Sequence, residues 1–310
     1  MGALAQASGS STRGSPGTCW PPGRPCDARR CLLSVAVSFG ADDCPPLTSD
    51  SIVEEAVSVE ADGLNSYWLP NQFDLGAPGL IGYLAREVTH IELGAGLLPI
   101  FTRHPLLAAQ EALTAQLITA GRFVLGLGLE HKVIVEDFFG DSFANPVERL
   151  VEYLTIVRSM LGTSAADYQG SFYRCKSVSN RLPLGAVAAV PIILGALGPK
   201  MLRVAGEMAE GTITWLCGPA TLESYVVPTI TAAASNAGRP APRVIATLPV
   251  CVTRDEAAVR SCIERAFGVY EGLPSYQRAG RGRPPRRHRH RRRPPRGART
   301  ARPAGPSRRD

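Results

Sequence analysis

The feature that most constrains the fold is a repeat of apolar, strand-length segments, each separated from the next by a segment with helical periodicity. The strand-length segments are Leu32–Phe39, Leu64–Leu69, Ile91–Leu98, Phe123–Gly128, Pro191–Leu197, Gly211–Cys217 and Arg243–Thr253. Strands and helices that alternate over about 240 residues are typical of α/β proteins with a parallel sheet.

The helical segments carry apolar residues on one face. Leu150, Leu154 and Val157, for example, recur at the spacing of one helix face. The helices are predicted at residues 48–61, 78–86, 105–120, 145–161, 199–209, 221–237 and 255–270. Tyr168–Val178 is predicted as a small hairpin inserted between two of the repeating units.

Seven repeats of this kind predict a TIM (β/α)8-type barrel, a fold of about 250 residues. A doubly wound open sheet is the alternative. The eighth strand is missing from the prediction, because no apolar segment follows Gln277. An open sheet edge exposes unpaired backbone groups and apolar surface. We therefore expect the chain as written to be poorly soluble or weakly active.

Composition divides the chain of 310 residues into three parts. Residues 1–31 are poor in large aliphatic side chains, which predicts either a disordered extension or a wrongly assigned start of translation. Residues 32–277 form the predicted barrel domain. Residues 278–310 are rich in Arg and Pro, and cannot fold alone.

The net charge of +7 comes from this last part. Residues 278–310 hold 14 of the 34 basic residues and one of the 27 acidic residues, which leaves 20 basic and 26 acidic residues before them. Such a tail could bind phosphate groups of nucleic acid. It has no aromatic residue for base stacking. We favour a frameshift in a GC-rich gene, and expect no nucleic-acid partner.

The eight cysteines form no CxxC pair and match no zinc-site spacing, so no metal is predicted. The N-terminus lacks the apolar core of a signal peptide, and no apolar run reaches the ~18 residues that a membrane helix needs. These features predict a reduced, cytoplasmic protein without a membrane partner.

The stretch Gly121–Lys132 holds the first candidate site. Its apolar strand ends in Gly126, Leu127 and Gly128 and runs into a polar cluster that contains Glu130 and His131. We expect the glycines to leave room for a flat ligand and the polar cluster to lie beside it.

Three segments together resemble the bacterial luciferase-like monooxygenase superfamily, and within it the actinobacterial enzymes that use the deazaflavin coenzyme F-420. They are GRFVLGLGLEHK (121–132), IELGAGLLPIFTRHPLLAAQ (91–110) and GALGPKMLRVAGEMAEGTITW (195–215). The resemblance covers roughly residues 33–278. It implies a TIM barrel whose cofactor lies at the carboxyl ends of the strands.

The resemblance implies where the cofactor ring would lie. Relatives that bind deazaflavin often have a non-proline cis peptide behind the ring at the end of the third strand, and Gly96–Leu97 matches that position. Gly126 and Gly128 would let the ring approach the backbone. Without the resemblance, Gly94 and Gly96 would only let a helix and a strand approach closely.

The resemblance also implies a phosphate site. Leu197, Gly198 and Pro199 match the family's phosphate-contacting Gly-Gly-Pro stretch, with leucine in place of the first glycine. They lead into a predicted helix, whose free N–H groups favour an anion. Lys200 could add charge or point to solvent. Trp215 matches a position near the phosphate, and a core aromatic is the equal alternative.

Asn71 and Gln72 stand where sugar-phosphate and alcohol oxidases of the family carry an Asp-His pair. Neither amide titrates, but both can hydrogen-bond a ring. Asn71 is thus a predicted cofactor contact, and Gln72 and His131 are the catalytic candidates. For His131, a structural role beside Glu130, Glu136 or Asp137 is an equal alternative.

These residues predict an oxidoreductase that moves a hydride between coenzyme F-420 and an organic substrate. The alternative within the family is an FMN-dependent monooxygenase, and outside it a nucleic-acid-binding protein acting through the Arg-rich tail. A small organic molecule is the predicted partner, and a homodimer is left open. The substrate would be bordered by Phe73, Phe101, Phe138 and Phe139.

Overall fold

The structure, a computed structural model, describes residues 34–36, 48–71, 75–178, 188–250, 256–273 and 276. Gln72 and Phe73 lie outside the described residues, as do residues 1–31 and 278–310. The predictions made for them therefore stay predictions.

A seven-stranded, wholly parallel sheet forms the centre of the described chain, with the strand order β1-β2-β3-β4-β7-β8-β9. Its strands are β1 (Ser34–Ala36), β2 (Ser66–Leu69), β3 (Glu92–Pro99), β4 (Phe123–Gly128), β7 (Ile192–Gly195), β8 (Gly211–Trp215) and β9 (Arg243–Thr247). The strands follow one another in chain order without the reversal that a doubly wound sheet requires. The barrel prediction is confirmed, and the doubly wound alternative is wrong.

The remaining two strands, β5 (Ala165–Gln169) and β6 (Arg174–Val178), pair antiparallel with each other. They form the hairpin that the sequence predicts. Within the described residues β1 and β9 are the two edges of the large sheet, and no eighth strand joins them.

Helices follow the strands along the chain. They are α1 (Ser49–Ala61), α2 (Ala77–Leu84), α3 (Pro105–Ile118), α4 (Pro146–Thr163), α5 (Pro199–Met208), α6 (Pro219–Thr221), α7 (Val227–Asn236) and α8 (Glu256–Phe267). Their starts follow local chemistry. Thr48 caps α1 through a reciprocal pair of bonds with Ser51, and the His104 Nδ1 accepts from the Leu106 N–H at the start of α3.

The helix predicted over 221–237 is divided. A π-helical turn, Leu222–Val226, separates α6 from α7, and Pro228 lies at the start of α7. Proline has no N–H to donate to the preceding turn, so a regular α-helix cannot run through this point. A second π-helical turn, Ile134–Phe138, follows β4, where the sequence predicts no helix.

The strands bury both faces, as parallel strands do. On β2, Trp68 faces the inside of the curved sheet, where it packs with Val124, Ile193 and Ile245. Its neighbours Tyr67 and Leu69 belong to the larger core between the sheet and the helices. A large apolar side chain buried in this way contributes about 1.5–3 kcal/mol.

Candidate functional site at the carboxyl ends of the strands

The predicted site residues follow the carboxyl ends of the parallel strands, and those ends share one face of the sheet. This strand-end face carries Asn71 after β2, Leu97 near the end of β3, Gly128 at the end of β4 and His131 after it, Gly198 after β7 and Trp215 on β8. The fold therefore brings together the predicted residues that the structure describes.

The Gly96–Leu97 peptide bond is cis, as the resemblance implies. The pairing register between β3 and β4 shifts between Ala95 and Leu98, so the backbone bulges at this point. Leu97 itself is half-buried. The bulge directs its side chain toward the neighbouring strand ends.

Leu97 fills the room that the glycines of the neighbouring strands provide. A Cβ atom on Gly128 would lie 2.9 Å from the Leu97 Cδ1, and one on Gly195 would overlap the same atom. A Cβ on Gly126 would meet the carbonyl oxygen of Ala95. The sequence pattern predicts a flat ligand in this room, whereas in the structure Leu97 occupies it. Contact of Gly126 and Gly128 with a cofactor stays a prediction.

The two glycines of β3, Gly94 and Gly96, leave space for a side chain on the inside of the barrel. A Cβ on Gly94 would overlap the indole of Trp68, and one on Gly96 would lie 3.2 Å from it. Trp68 is buried, and its Nε1 donates to the Ser66 Oγ at 3.2 Å. The close approach allowed by Gly94 and Gly96 is thus to an aromatic ring of β2, and not to a helix.

The turn from β7 leads into the start of α5, whose N–H groups could hold an anion. Gly198 is the N-cap residue, and no side chain accepts a hydrogen bond at this helix start. The Leu202 N–H donates to the Gly198 carbonyl oxygen at 2.9 Å. Pro199 has no N–H, so the N–H groups of Lys200 and Met201 are those without an acceptor inside the helix. Lys200 is exposed.

Asn71 takes part in a hydrogen-bonded group that the sequence does not reveal. Its Oδ1 accepts from the Ala77 N–H at 3.3 Å and from the Arg103 Nη2 at 3.5 Å. The Arg103 Nε in turn lies 3.0 Å from the Glu111 Oε2. The oxygen of Asn71 therefore orients the start of α2, which leaves its amide N–H groups as donors for a ligand.

His131 is half-buried and lies against aromatic rings. Its ring centroid is 6.0 Å from that of Tyr270 and 6.2 Å from that of Tyr276. Among the described residues no carboxylate forms an ion pair with it, although the His131 N–H does bond the Glu130 Oε2 at 3.3 Å. The predicted pairing of His131 with a neighbouring carboxylate is therefore found only at the His131 backbone N–H, and not at its imidazole.

Trp215, the last residue of β8, also packs against Tyr270. Its ring centroid lies 5.7 Å from Phe267 and 6.3 Å from Tyr270, both in edge-to-face geometry. Burial raises the pKa of Tyr270 and of Tyr276, and the negative charge of Glu130 raises both further. Both phenols are therefore neutral hydrogen-bond donors at physiological pH.

Sequence reasoning misses the return of the segment after α8 to the strand-end face. The pattern predicts residues 255–270 only as a helix after the last strand, and it gives Tyr270 and Tyr276 no role. The one signal in the sequence is the density of aromatic residues from Phe267 to Tyr276.

The backbone at the ends of two strands is also unusual. Glu130 and Leu216, which follow β4 and β8, adopt left-handed conformations with φ of 60° and 54°. Such conformations are uncommon outside glycine, and they cluster at functional sites. Glu130 precedes His131 and Leu216 follows Trp215, and the ring of Tyr270 contacts both of these neighbours.

Neither a metal centre nor a membrane span is found in the part of the chain that the structure describes. No group of three or more His, Cys, Asp or Glu side chains there is arranged to hold a metal ion. No helix among these residues has the length and apolar character needed to cross a membrane.

A family model described as luciferase-like monooxygenase matches residues 33–310. Among sequence relatives, the 5,10-methylenetetrahydromethanopterin reductase of Methanolobus tindarius is 26% identical over 226 residues, which cover 73% of this chain and 68% of that protein.

Two of the solved structures that share the fold illustrate the range of relatives. The coenzyme F-420-dependent tetrahydromethanopterin reductase of Methanopyrus kandleri superposes with a TM-score of 0.59 at 22% identity, over 72% of this chain and 65% of that chain. This chain thus spans slightly less than two thirds of that reductase. The oxygenating component of 3,6-diketocamphane monooxygenase from Pseudomonas putida, solved with FMN, gives 0.59 at 19% identity, over 70% and 68% of the two chains.

Proposed function

The chain belongs to the luciferase-like monooxygenase family, and on that basis we propose that it binds coenzyme F-420 at the strand-end face and transfers a hydride between this deazaflavin and an organic substrate. Family membership makes the protein an oxidoreductase of flavin or deazaflavin type. The choice of F-420 over FMN is supported by the reductases among its relatives, whose names specify methanopterin reduction or dependence on F-420.

The observation that carries the proposal is the start of α5. It lies between the ends of β4 and β8, and no side chain caps it. The free N–H groups of Lys200 and Met201 and the positive end of the helix dipole favour a phosphate there. F-420 and FMN both carry such a phosphate, so the described residues fit either cofactor.

The remaining residues of the strand-end face have roles that follow from their positions. The Leu97 side chain packs against Gly126, Gly128 and Gly195, and it would present an apolar surface to a ring system. Asn71 can donate its amide N–H to a ring carbonyl. When bound, the cofactor supplies the hydride chemistry, and the protein supplies orientation and exclusion of water.

His131 is the proposed group for holding or moving a proton. It is the histidine that follows the strand-end glycines of β4, and an imidazole can both accept and donate a proton through its ring nitrogens. Gln72 is the second proposed catalytic residue. As an amide, it would orient the substrate by hydrogen bonds and would not exchange a proton.

An FMN-dependent monooxygenase is the second candidate. It is favoured by the structural match to the FMN-bound oxygenating component from Pseudomonas putida. The two candidates differ in what the reduced cofactor does, since a reduced flavin reacts with oxygen and a deazaflavin carries out two-electron transfer. They share the phosphate site and the ring surface.

Titration of the purified chain with F-420, FMN and riboflavin, followed by absorbance and fluorescence, tests the proposal. We expect saturable binding of F-420, weaker binding of FMN and little binding of riboflavin, which has no phosphate. Tight binding of FMN alone, with oxygen uptake after reduction, would favour the monooxygenase. Absence of binding by all three, from a chain that unfolds cooperatively, would contradict both candidates.

A further inference from the structure

Three aromatic residues at and after the end of α8 lie on the strand-end face, and we call them the aromatic trio. They are Phe267 at the end of α8, Tyr270 in the 3-10 turn Gly268–Gly272, and Tyr276. Tyr270 lies 5.2 Å from Tyr276 and 6.4 Å from Phe267 between ring centroids. All three side chains are half-buried. The trio is thus a packed group in contact with the barrel.

The strand order places the trio over the proposed phosphate turn. Tyr270 contacts His131, which follows β4, and also Trp215, which ends β8. In the sheet, β7 lies between β4 and β8. A ring that touches both neighbours therefore spans the end of β7, where Gly195–Gly198 leads into α5.

We propose that Tyr270 and Tyr276 occupy the ligand side of the strand-end face when no cofactor is bound, and that Tyr270 must leave Trp215 and Tyr276 must leave His131 before a flavin or deazaflavin can bind. This inference rests on the proposed function, since it concerns the same site. It adds a regulatory property, namely that the side chains of Tyr270 and Tyr276 compete with the cofactor.

The nature of the contacts makes this exchange feasible. The ring contacts of the trio with the barrel have edge-to-face or tilted geometry, and contacts of this kind are individually weak. Trp215 also acts as a hydrogen-bond partner of the Tyr270 hydroxyl. A planar cofactor ring could replace the ring contacts with similar contacts of its own.

We call the arrangement with the trio on the strand-end face the closed state, and the arrangement with the trio displaced the open state. A ligand that binds only the open state shifts the population toward that state. Its measured affinity is lower than its affinity for the open state, because only the open fraction of the molecules can bind it.

The closed state can be tested without any ligand, through the reactivity of Cys217. This thiol is buried two residues after Trp215, and it lies near enough to Tyr276 for the two groups to interact electrostatically. Iodoacetamide labelling, followed residue by residue with peptide mass spectrometry, reports its access to solvent. Cys175 in the hairpin strand β6 is equally buried and serves as the internal reference.

We expect Tyr270→Ala and Tyr276→Ala to raise the labelling rate of Cys217 about tenfold, because the closed population falls, and to leave the rate of Cys175 unchanged. Tyr276→Phe keeps the ring and should label like the wild type. Equal acceleration at both cysteines would mean that the variants have loosened the whole fold, and labelling of Cys217 at the wild-type rate in both alanine variants would overturn the inference.

Cofactor affinity tests the competition itself. FMN and F-420 should bind Tyr270→Ala about tenfold more tightly than the wild type, with faster association, because the closed state no longer lowers the measured affinity. Tyr83→Ala is the matched control, since Tyr83 is 52% exposed on α2, outside the strand-end face. It should bind like the wild type.

The outcomes separate this inference from the proposed function. Binding to the wild type that weakens or stays unchanged in Tyr270→Ala would overturn the inference and keep the function, because the trio would then be part of the binding surface or irrelevant to it. Measurable binding to the wild type that becomes tighter in Tyr270→Ala would support both. Failure of every protein to bind either ligand would overturn the function and, with it, the competition.

Discussion

The Arg243 Nη1 lies 2.7 Å from the Glu92 Oε1, although 151 residues separate the two side chains. Arg243 is the first residue of the edge strand β9, and Glu92 is the first residue of β3. These strands are not neighbours in the sheet, so the pair crosses its concave side. The Arg243 Cζ also lies 5.7 Å from the Trp68 ring centroid, which joins the pair to the buried interior.

We predict that Arg243→Ala lowers the free energy of unfolding by about 1–3 kcal/mol, because it leaves the half-buried Glu92 without its partner. Asp167→Asn is the control, since its pair with Lys176 is exposed on both sides and should contribute little. Urea unfolding followed by tryptophan fluorescence provides the measurement. Equal stability of the two variants would mean that the cross-sheet pair does not hold the edge strand.

The packing of β4 against Ala95 and Leu97 of β3 can be tested by substitution of Gly126. A Cβ at this position meets the backbone oxygen of Ala95, which cannot move aside as a side chain would. We predict that Gly126→Ala destabilises the protein by about 1–3 kcal/mol, the usual range for overpacking. Gly79 lies inside α2, where an added Cβ would have no atom within 4 Å, so Gly79→Ala should be neutral or stabilising. Thermal unfolding of the two variants provides the measurement. A Gly126→Ala variant as stable as Gly79→Ala would show that β4 has room for a Cβ atom at this position.

Glu152 links α4 to the hairpin and should give the stability a defined pH dependence. Partial burial acts to raise its pKa, but hydrogen bonds from the N–H groups of Phe172, Ser171 and Tyr173 outweigh this, so that the pKa lies below its ordinary value. A carboxylate with a lowered pKa stabilises the folded state fully above its unfolded pKa, near 4.5, and loses that contribution as the pH falls through the folded pKa.

Glu152→Gln should therefore be less stable than the wild type at pH 7, by about 1–3 kcal/mol for the loss of charge-assisted bonds. The difference should shrink steadily as the pH is lowered from 5 to 3. Denaturant unfolding at each pH measures it. A difference that stays constant over this range would assign the effect of the substitution to shape and not to charge.

The fold is predictable because its signals are local. Each strand and helix carries its own periodicity, and Leu150, Leu154 and Val157 identify α4 without knowledge of any other segment. The order of strands in a parallel barrel then follows from their order in the chain. The π-helical turn before Pro228 escapes prediction because periodicity does not distinguish it from regular helix.

The contacts within the site are less predictable because they join distant segments. Nothing in the local sequence of Tyr270 indicates that its ring meets His131, 139 positions earlier in the numbering, or that the Asn71 oxygen accepts from Arg103. The strand-end glycines, such as Gly128, do indicate a close approach. They do not reveal that the approaching group is the side chain of Leu97.

Gly198 offers the sharpest test of the phosphate site. A Cβ added at this residue would have no atom within 4 Å, so a side chain fits there without a clash. An Asp or Asn at this N-cap can accept hydrogen bonds from the free N–H groups of α5, which should stabilise the helix by up to about 1 kcal/mol. Both residues would occupy the donors proposed for the phosphate, but only Asp adds a negative charge.

We predict that Gly198→Asp weakens binding of FMN or F-420 by at least about tenfold, through loss of these donors and repulsion of the phosphate. Gly198→Asn should weaken it less, because the donors are occupied without added charge. Residual binding of riboflavin, which has no phosphate, should be the same in the wild type and both variants, and fluorescence titration of each ligand supplies the comparison. An Asp variant that binds FMN as well as the wild type does would place the phosphate elsewhere on the strand-end face. Loss of riboflavin binding alongside FMN would instead show that the substitution disturbs the ring surface of Leu97.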